Sequence, residues 1–204
     1  SWKRRRKKLF RRLKIAADKH SRKAAVRCAH APDGARGQKE KEDMERHAIK
    51  VRAAAESDIP RFAELLLQVE KVHYDGRPDL FRPDARKYSP EDMAAILRDE
   101  AKPVFAAADE NGEVLGYAFC ADVTPVDDNI LAPVRTLYID DICVDEKCRG
   151  TGVGKALYSY VREWAKEQGY TRITLNVWSC NPSAMQYYIA MGLVPYKICM
   201  ETLL

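Results

Sequence analysis

The sequence predicts a mixed α/β fold for residues 47–204, preceded by a basic extension over residues 1–46. Short segments with alternating apolar residues, typical of strands, are interleaved with longer segments of helical periodicity. A glycine-rich segment at 149–154 stands where one strand passes into a helix. The hydrophobic content of 46% suits a packed globular core. We therefore expect one domain with strands and helices in the order β-α-α-β-β-β-α-β-α-β.

The first half of the domain is predicted to hold three strands and two helices. Residues 48–52 alternate as an opening strand, and Ser57 or Asp58 can cap the next helix, with Pro60 in its first turn. A loop over residues 73–83 follows. Ser89 is placed to cap a second helix that starts at Pro90. Strands at 104–108 and 114–122 flank a hairpin turn at 109–112.

The second half begins with a loop at 125–133 and a strand at 136–144. A helix from about 153 to 168 is predicted to bury one apolar face, formed by Val153, Leu157, Tyr160, Val161 and Trp164. Alternation at Ile173, Leu175 and Val177 predicts another strand, and Asn181 or Ser183 begins the last helix. Residues 193–201 are expected to form a closing strand.

The junction between the strand at 136–144 and the following helix predicts an anion site. Arg149 is followed by three alternating glycines, Gly150, Gly152 and Gly154. A helix start presents unpaired backbone N–H groups, and glycines let the backbone approach a ligand closely. An arginine adds a paired donor for phosphate oxygens. These residue types together favour a phosphate or pyrophosphate ligand.

Three known phosphate loops compete for this segment. A dinucleotide loop, Gly-x-Gly-x-x-Gly, fails because Lys155 stands at its last glycine. A P-loop fails because Arg149 replaces its first glycine and Ala156 its hydroxyl residue. The pattern Arg/Gln-x-x-Gly-x-Gly/Ala is matched at every fixed position by Arg149, Gly152 and Gly154.

A second motif lies at residues 181–193, which read Asn-Pro-Ser-Ala-Met-Gln-Tyr-Tyr-Ile-Ala-Met-Gly-Leu. In these two motifs the chain resembles the GCN5-related N-acetyltransferases, over about residues 47–204. The resemblance implies the family's mixed sheet and acetyl-CoA as cosubstrate, with no metal. In the family the loop holds the coenzyme A pyrophosphate and the preceding strand bonds the pantetheine arm. The residues implied for coenzyme A binding are Ile142, Cys143, Val144, Arg149, Gly150, Thr151, Gly152, Val153, Gly154, Lys155, Asn181 and Tyr188.

The resemblance implies acetyl transfer to a primary amine of a small molecule or a protein, by direct attack in a ternary complex. Tyr188 matches the family tyrosine near the coenzyme A sulfur and is expected to donate a proton to the leaving thiolate. The expected base is Asp140, with Asp141 or water as alternatives, since a bulge would change which of the two faces the site. Asn181 is equally well explained as a helix cap. Residues expected near the acceptor are His73, Tyr74, Arg77, Asp79, Phe81 and Asp141.

Charge separates the two parts of the chain. Residues 1–47 contain 17 Lys/Arg and 6 Asp/Glu, whereas the remainder carries a net charge of −6. The basic arm suits contact with nucleic acid or an anionic surface, but a solvated tail and a non-native segment are equally open. Rival functions are therefore a non-catalytic acyl-CoA sensor and a nucleic-acid-binding protein acting through the arm. Many relatives dimerise, so a homodimer also remains open.

Six cysteines show neither CxxC pairing nor metal-ligand spacing, and no apolar run reaches the length of a membrane span. No signal peptide is evident, because the basic start has no apolar stretch behind it. The expected location is therefore the reducing cytoplasm.

Overall fold

The computed structural model describes residues 49–204, so the basic extension over residues 1–46 lies outside the described residues. The described part confirms a mixed α/β fold. Its helices and strands are β1 (Lys50–Ala53), α1 (Ile59–Gly76), α2 (Pro90–Leu97), β2 (Val104–Ala108), β3 (Val114–Asp122), β4 (Thr136–Val144), α3 (Val153–Glu167), β5 (Arg172–Leu175) and α4 (Pro182–Ala190). Within residues 49–204, none of the helices is both long and apolar enough to span a bilayer.

The five strands form one sheet in the order β1-β2-β3-β4-β5. The first three pairings are antiparallel, whereas β4 and β5 run parallel with Thr136 opposite Arg172 and Ile139 opposite Leu175. The register between β3 and β4 shifts once: Phe119 faces Asp141, but Cys120 faces Ile139. Asp140 is the extra residue, so β4 carries a β-bulge at this position.

The sheet is covered on both faces, which agrees with the continuous burial of β2 and of most of β3. On one face α1 and α2 pack with Phe62, Leu65, Met93, Tyr117 and Phe119. On the other face α3 contributes Val153, Leu157 and Val161 against Phe105 and Leu137. Because neighbouring residues of β3 and β4 point to opposite faces, the register decides which side chains of β4 meet α1.

Local sequence signals account for the starts of the helices. Ser89 caps α2, where its hydroxyl accepts the Asp92 N–H at 3.1 Å and the Asp92 carboxylate accepts the Ser89 N–H at 2.9 Å. Asn181 caps α4 by accepting the Ala184 N–H at 3.1 Å. Asp58 stands at the cap position of α1, but its carboxylate bonds the Arg52 guanidinium at 2.7 and 2.8 Å instead.

Four element predictions are wrong. Helix α1 continues to Gly76, so His73 and Tyr74 lie on a helix and not in a loop. In α3 the buried tyrosine is Tyr158, whereas Tyr160 is 38% exposed and covers the edge of Phe105. Strand β5 ends at Leu175, before Val177.

The fourth correction concerns residues 193–201, which form no strand. Pro195 lacks a backbone N–H and interrupts any ladder at the centre of this segment. Its apolar side chains Val194, Tyr196, Ile198 and Met200 are exposed. The edge of β5 therefore has no strand beside it within the described residues.

Candidate active site

The candidate donor loop, residues 149–155, joins β4 to α3. Gly150 has φ of 82° and Gly152 of 97°, both in the left-handed region that favours glycine. A Cβ added at either glycine would meet no atom within 4 Å, so the space above the loop is open. The first N–H groups of the 15-residue helix α3 border this space. The geometry suits an anion that lies on the helix start.

A polar network ties the entrance of this loop to α1. Asp145 is buried, and its carboxylate accepts hydrogen bonds from Arg61 and from the Lys147 N–H at 3.0 Å. Gln68 accepts the Glu146 N–H at 2.9 Å. Burial opposes the charge of Asp145, but these hydrogen bonds hold the pKa of its carboxyl below the usual range. These bonds hold the residues just before the donor loop, Asp145 and Glu146, against α1.

The polar residues of the donor loop are exposed. Arg149 reaches back to the end of β4, with Nε donating to the Val144 carbonyl at 3.3 Å. Thr151 Oγ1 donates to the Cys148 carbonyl at 2.7 Å, which closes the turn before α3. Lys155 is exposed in the first turn of α3.

Strands β4 and β5 part after Ile139 and Leu175, which leaves a splayed segment at residues 140–144. This segment keeps its pairing with β3 through Val144 opposite Gly116, but among residues 49–204 it has no strand partner on the β5 side. Ile142 and Val144 pack toward α3, and Cys143 is buried toward α1. The splay exposes backbone groups that an extended ligand could pair with, next to the donor loop.

The bulge brings both candidate bases to the α1/α2 side of the sheet. Asp140 accepts hydrogen bonds from the Lys87 ammonium at 2.9 Å and from the Tyr88 hydroxyl, and Lys87 also bonds its backbone carbonyl at 2.8 Å. Asp141 faces Phe119 across the strands, on the same face as Tyr117 and Cys143. The sequence predicted that a bulge would matter here, and Lys87 and Tyr88 are partners that it did not indicate.

Burial raises the pKa of Asp141 to about 6. Lys87 and His73 act to lower that pKa, while the carboxylates of Glu70 and Asp140 raise it. The neighbouring Tyr117 side chain is 0% exposed, and its hydroxyl has no hydrogen-bond partner among the described residues. A carboxyl that titrates near neutral pH is suited to proton transfer.

Tyr188 lies on α4, with its ring 5.2 Å from that of Tyr187. Burial raises its pKa, with further contributions from Tyr187, Asp141 and Cys143. Its phenol therefore stays protonated at neutral pH. The Tyr187 hydroxyl is also buried, with no hydrogen-bond partner within residues 49–204, and a Cβ added at Gly154 would lie 3.3 Å from it. Tyr187 thus packs against the start of α3.

The residues expected near the acceptor do not all lie together. His73 and Phe81 form an aromatic wall with Trp178, with ring centroids 5.1 Å apart for His73–Phe81 and 5.0 Å for Phe81–Trp178. Arg77 instead pairs with Asp79 at 2.7 Å and with Glu201 at 2.6 Å. No hydrogen bond or ion pair involves the Tyr74 side chain within residues 49–204.

Sequence reasoning missed Glu70, which lies on α1 one turn before His73, with its Oε2 3.7 Å from His73 Nδ1. The predicted first helix ended before His73. A longer prediction would have placed Glu70 and His73 one turn apart on the same helix. Within residues 49–204, no group of three or more His, Cys, Asp or Glu side chains is arranged to hold a metal ion.

The sequence and the fold are also similar to those of known proteins. The family described as acetyltransferase (GNAT) matches residues 69–193, from the middle of α1 to just beyond α4. Human N-acetyltransferase 8B is 33% identical over 104 residues, which are 50% of this chain and 44% of that protein. An uncharacterized N-acetyltransferase of Lactobacillus delbrueckii subsp. lactis is 27% identical over 161 residues, 73% of this chain and 86% of that protein. The chain spans about half the length of the human relatives that it matches.

Solved structures show the same fold. A tetramutant of the BH1408 protein from Bacillus halodurans has a TM-score of 0.72 and 28% identity, covering 76% of this chain and 99% of that one. An aminoglycoside N-acetyltransferase in complex with CoA has a TM-score of 0.58 and 17% identity, covering 77% and 95%. The glycine loop, the splayed β4 and the match over more than half of the sequence lead to one conclusion: the chain belongs to the acetyltransferase (GNAT) family.

Proposed function

We propose that residues 47–204 form an N-acetyltransferase domain that moves an acetyl group from acetyl-CoA to a primary amine by direct attack in a ternary complex. The observation that carries this proposal is the splay of β4 from β5 beside the open donor loop. An elongated ligand with a pyrophosphate at one end fits both features at once. The related fold solved in complex with CoA supports the same donor.

In this proposal the loop binds the donor through its backbone. The N–H groups around Gly150 to Gly154 and the positive end of the α3 dipole hold the pyrophosphate, and Arg149 and Lys155 add charge. Backbone groups of residues 142–144 pair with the pantetheine arm, which directs the thioester toward Tyr188. Holding both reactants in one cleft supplies most of the rate gain, because it removes the entropy cost of their encounter.

The acceptor amine must lose a proton before or during its attack on the thioester carbonyl. Two carboxylates compete for this role. Asp140 is held by Lys87 and Tyr88, whereas Asp141 forms no ion pair among the described residues and has a pKa of about 6. We therefore favour Asp141 as the base and keep Asp140 as the alternative. A base with this pKa is largely ionised at neutral pH and still accepts a proton.

The transfer forms the C–N bond and breaks the C–S bond, and the electron pair leaves with the sulfur. Tyr188 donates a hydrogen bond to the thiolate, which is protonated from the phenol, and the phenol regains its proton from solvent. The amine proton leaves with Asp141. Each proton thus has a defined donor and acceptor in the cleft.

Two measurements test the donor half. Calorimetry of the wild type should show acetyl-CoA binding that Gly152→Trp abolishes, because the new side chain fills the open space above the loop. Gly112→Trp is the matched control, since Gly112 has φ of 85° and an equally open surround in the β2–β3 turn. Unchanged binding in Gly152→Trp would refute the loop assignment.

The second test follows release of free CoA with a panel of primary amines. Turnover with at least one amine, lost in Gly152→Trp and retained in Gly112→Trp, is the expected result. Tight acetyl-CoA binding without turnover of any amine would instead favour a non-catalytic acyl-CoA sensor.

A further inference from the structure

The acceptor side of the cleft carries carboxylates that the transfer chemistry does not require. Lys87 pairs with Asp140 and so offsets one of the three negative charges. Neither Asp141 nor Glu70 forms an ion pair with any Lys or Arg among residues 49–204, and within that range the ion pair of Glu70 is with His73. One base is enough for the proposed reaction. The second carboxylate therefore needs another explanation.

These groups share one face of the sheet and one helix. Asp141 and Cys143 alternate along β4 toward α1, and the Cys143 thiol donates to the Leu65 carbonyl of α1 at 3.5 Å. Glu70 and His73 follow on that helix, with side chains only 15% and 18% exposed. Both side chains are therefore largely removed from water, and buried carboxylates are usually paired with a cation.

A second observation points to a ligand at this place. The Tyr117 hydroxyl, on a side chain with 0% exposure, has no partner among the described residues. Tyr117 stands opposite Cys143 in the sheet. Burial raises the pKa of its hydroxyl most, and the nearby Asp141, Cys143 and Glu70 side chains raise it further. Buried hydroxyls are almost always hydrogen-bonded. The orphaned hydroxyl indicates that a polar group of a ligand completes this cluster.

The aromatic wall of His73, Phe81 and Trp178 continues from Glu70 toward solvent, where Trp178 is 44% exposed. Aromatic faces bind methylene chains and attract cations. Gly76 lies against Cys180 so closely that an added Cβ would be 2.7 Å from the Cys180 Cβ. This contact fixes the end of α1 to the segment that carries Trp178, so the wall and the carboxylates keep their relative positions.

From this arrangement we propose that the acceptor is an aliphatic amine with a second cationic amino group a few methylenes away. The reacting amine lies between Asp141 and Tyr188, the second ammonium pairs with Glu70, and the methylenes cover the aromatic wall. This inference rests on the proposed function, because it takes the cleft beside β4 as the acceptor site. It adds the charge and length of the acceptor, which the fold alone does not give.

The test is a binding measurement that needs no turnover. 1,5-Diaminopentane and 1-aminopentane, which share the reacting amine and the chain, are titrated calorimetrically into the protein with and without CoA. We expect the diamine to bind at least tenfold more tightly, with Glu70→Gln losing about tenfold of the diamine's affinity. The matched control is Asp75→Asn, which removes the same charge from the same helix at a side chain that is 57% exposed.

Equal affinities for the two amines, or no binding of either, would overturn the inference. An equal loss in Asp75→Asn and Glu70→Gln would also overturn it, since the preference would then reflect the overall charge of the domain. Failure of the proposed function gives a different pattern, with diamine selectivity intact but no release of CoA from acetyl-CoA.

Discussion

Replacing Asp141 by Asn should make the protein more stable and less active at the same time. The pKa of Asp141 rises from its ordinary 3.8 to about 6 because burial disfavours its charge. Each pKa unit corresponds to about 1.4 kcal/mol, so ionising the carboxyl in the folded state costs at most about 3 kcal/mol. Asp141 keeps some contact with water, so we expect Asp141→Asn to raise the free energy of unfolding by about 1–2 kcal/mol at pH 8.

The sign of this effect depends on pH. Below about pH 4 the folded protein holds a neutral Asp141 at no cost, and the unfolded chain is also largely protonated. As the pH rises from about 4 to 6, the unfolded chain ionises first, and the wild type loses stability. The gain of Asp141→Asn should therefore be largest at pH 8 and disappear near pH 4.

Urea denaturation of both proteins at pH 4, 6 and 8 measures this difference. Asp140→Asn is the matched control, because it removes a charge that Lys87 offsets. Its free energy of unfolding should fall by about 0–1 kcal/mol at pH 8. In parallel, acetyl transfer by Asp141→Asn should fall about 10²-fold or more, and the wild-type kcat/KM should rise through an apparent pKa near 6. A loss of stability at pH 8, or an equal gain at pH 4 and pH 8, would show that burial of the Asp141 charge has been misjudged.

Three further changes test other parts of the structure. Tyr188→Phe should lower kcat about 10- to 100-fold without weakening acetyl-CoA binding, whereas Tyr187→Phe should keep kcat, because its buried hydroxyl has no partner among the described residues. If Tyr188→Phe kept the wild-type kcat, the Tyr188 phenol would be excluded as the acid that protonates the thiolate. Gly116→Ala should cost about 1–3 kcal/mol in thermal unfolding, because its Cβ would lie 2.6 Å from the Cys143 carbonyl oxygen; no loss would mean that β3 and β4 can move apart. Asp145→Asn should cost about 1–3 kcal/mol at pH 7 and weaken acetyl-CoA binding, with a smaller cost as the pH falls below about 4, since the pKa of Asp145 is held low. An equal cost at pH 7 and pH 3 would contradict a role for its charge.

The local parts of the fold followed directly from residue types. Ser89 caps α2 as expected, and Asn181 caps α4. The hairpin turn at 109–112 and the left-handed glycines of the donor loop lie where the sequence placed them. Such features depend on neighbours within four residues, so sequence order alone contains the necessary information.

Other features depend on residues far apart in the chain. The end of α1 was placed too early, because the turn around Gly76 is set by packing on Cys180. The pairing of Lys87 and Tyr88 with Asp140 joins residues more than 50 positions apart. Helical and strand periodicity report which face a residue occupies, but not which distant side chain it meets there.

The sequence by itself determined the elements of the proposed donor half of the site, since a strand, a glycine loop and a helix start are contiguous from Thr136 to Glu167. Only the tertiary structure decided the arrangement of the proposed acceptor half. The register shift at Asp140 turns two adjacent carboxylates to one face, and α1 brings Glu70 and His73 to the same place. A bulge and a helix packing against a sheet follow from the balance of many long-range contacts, which no short stretch of residues encodes.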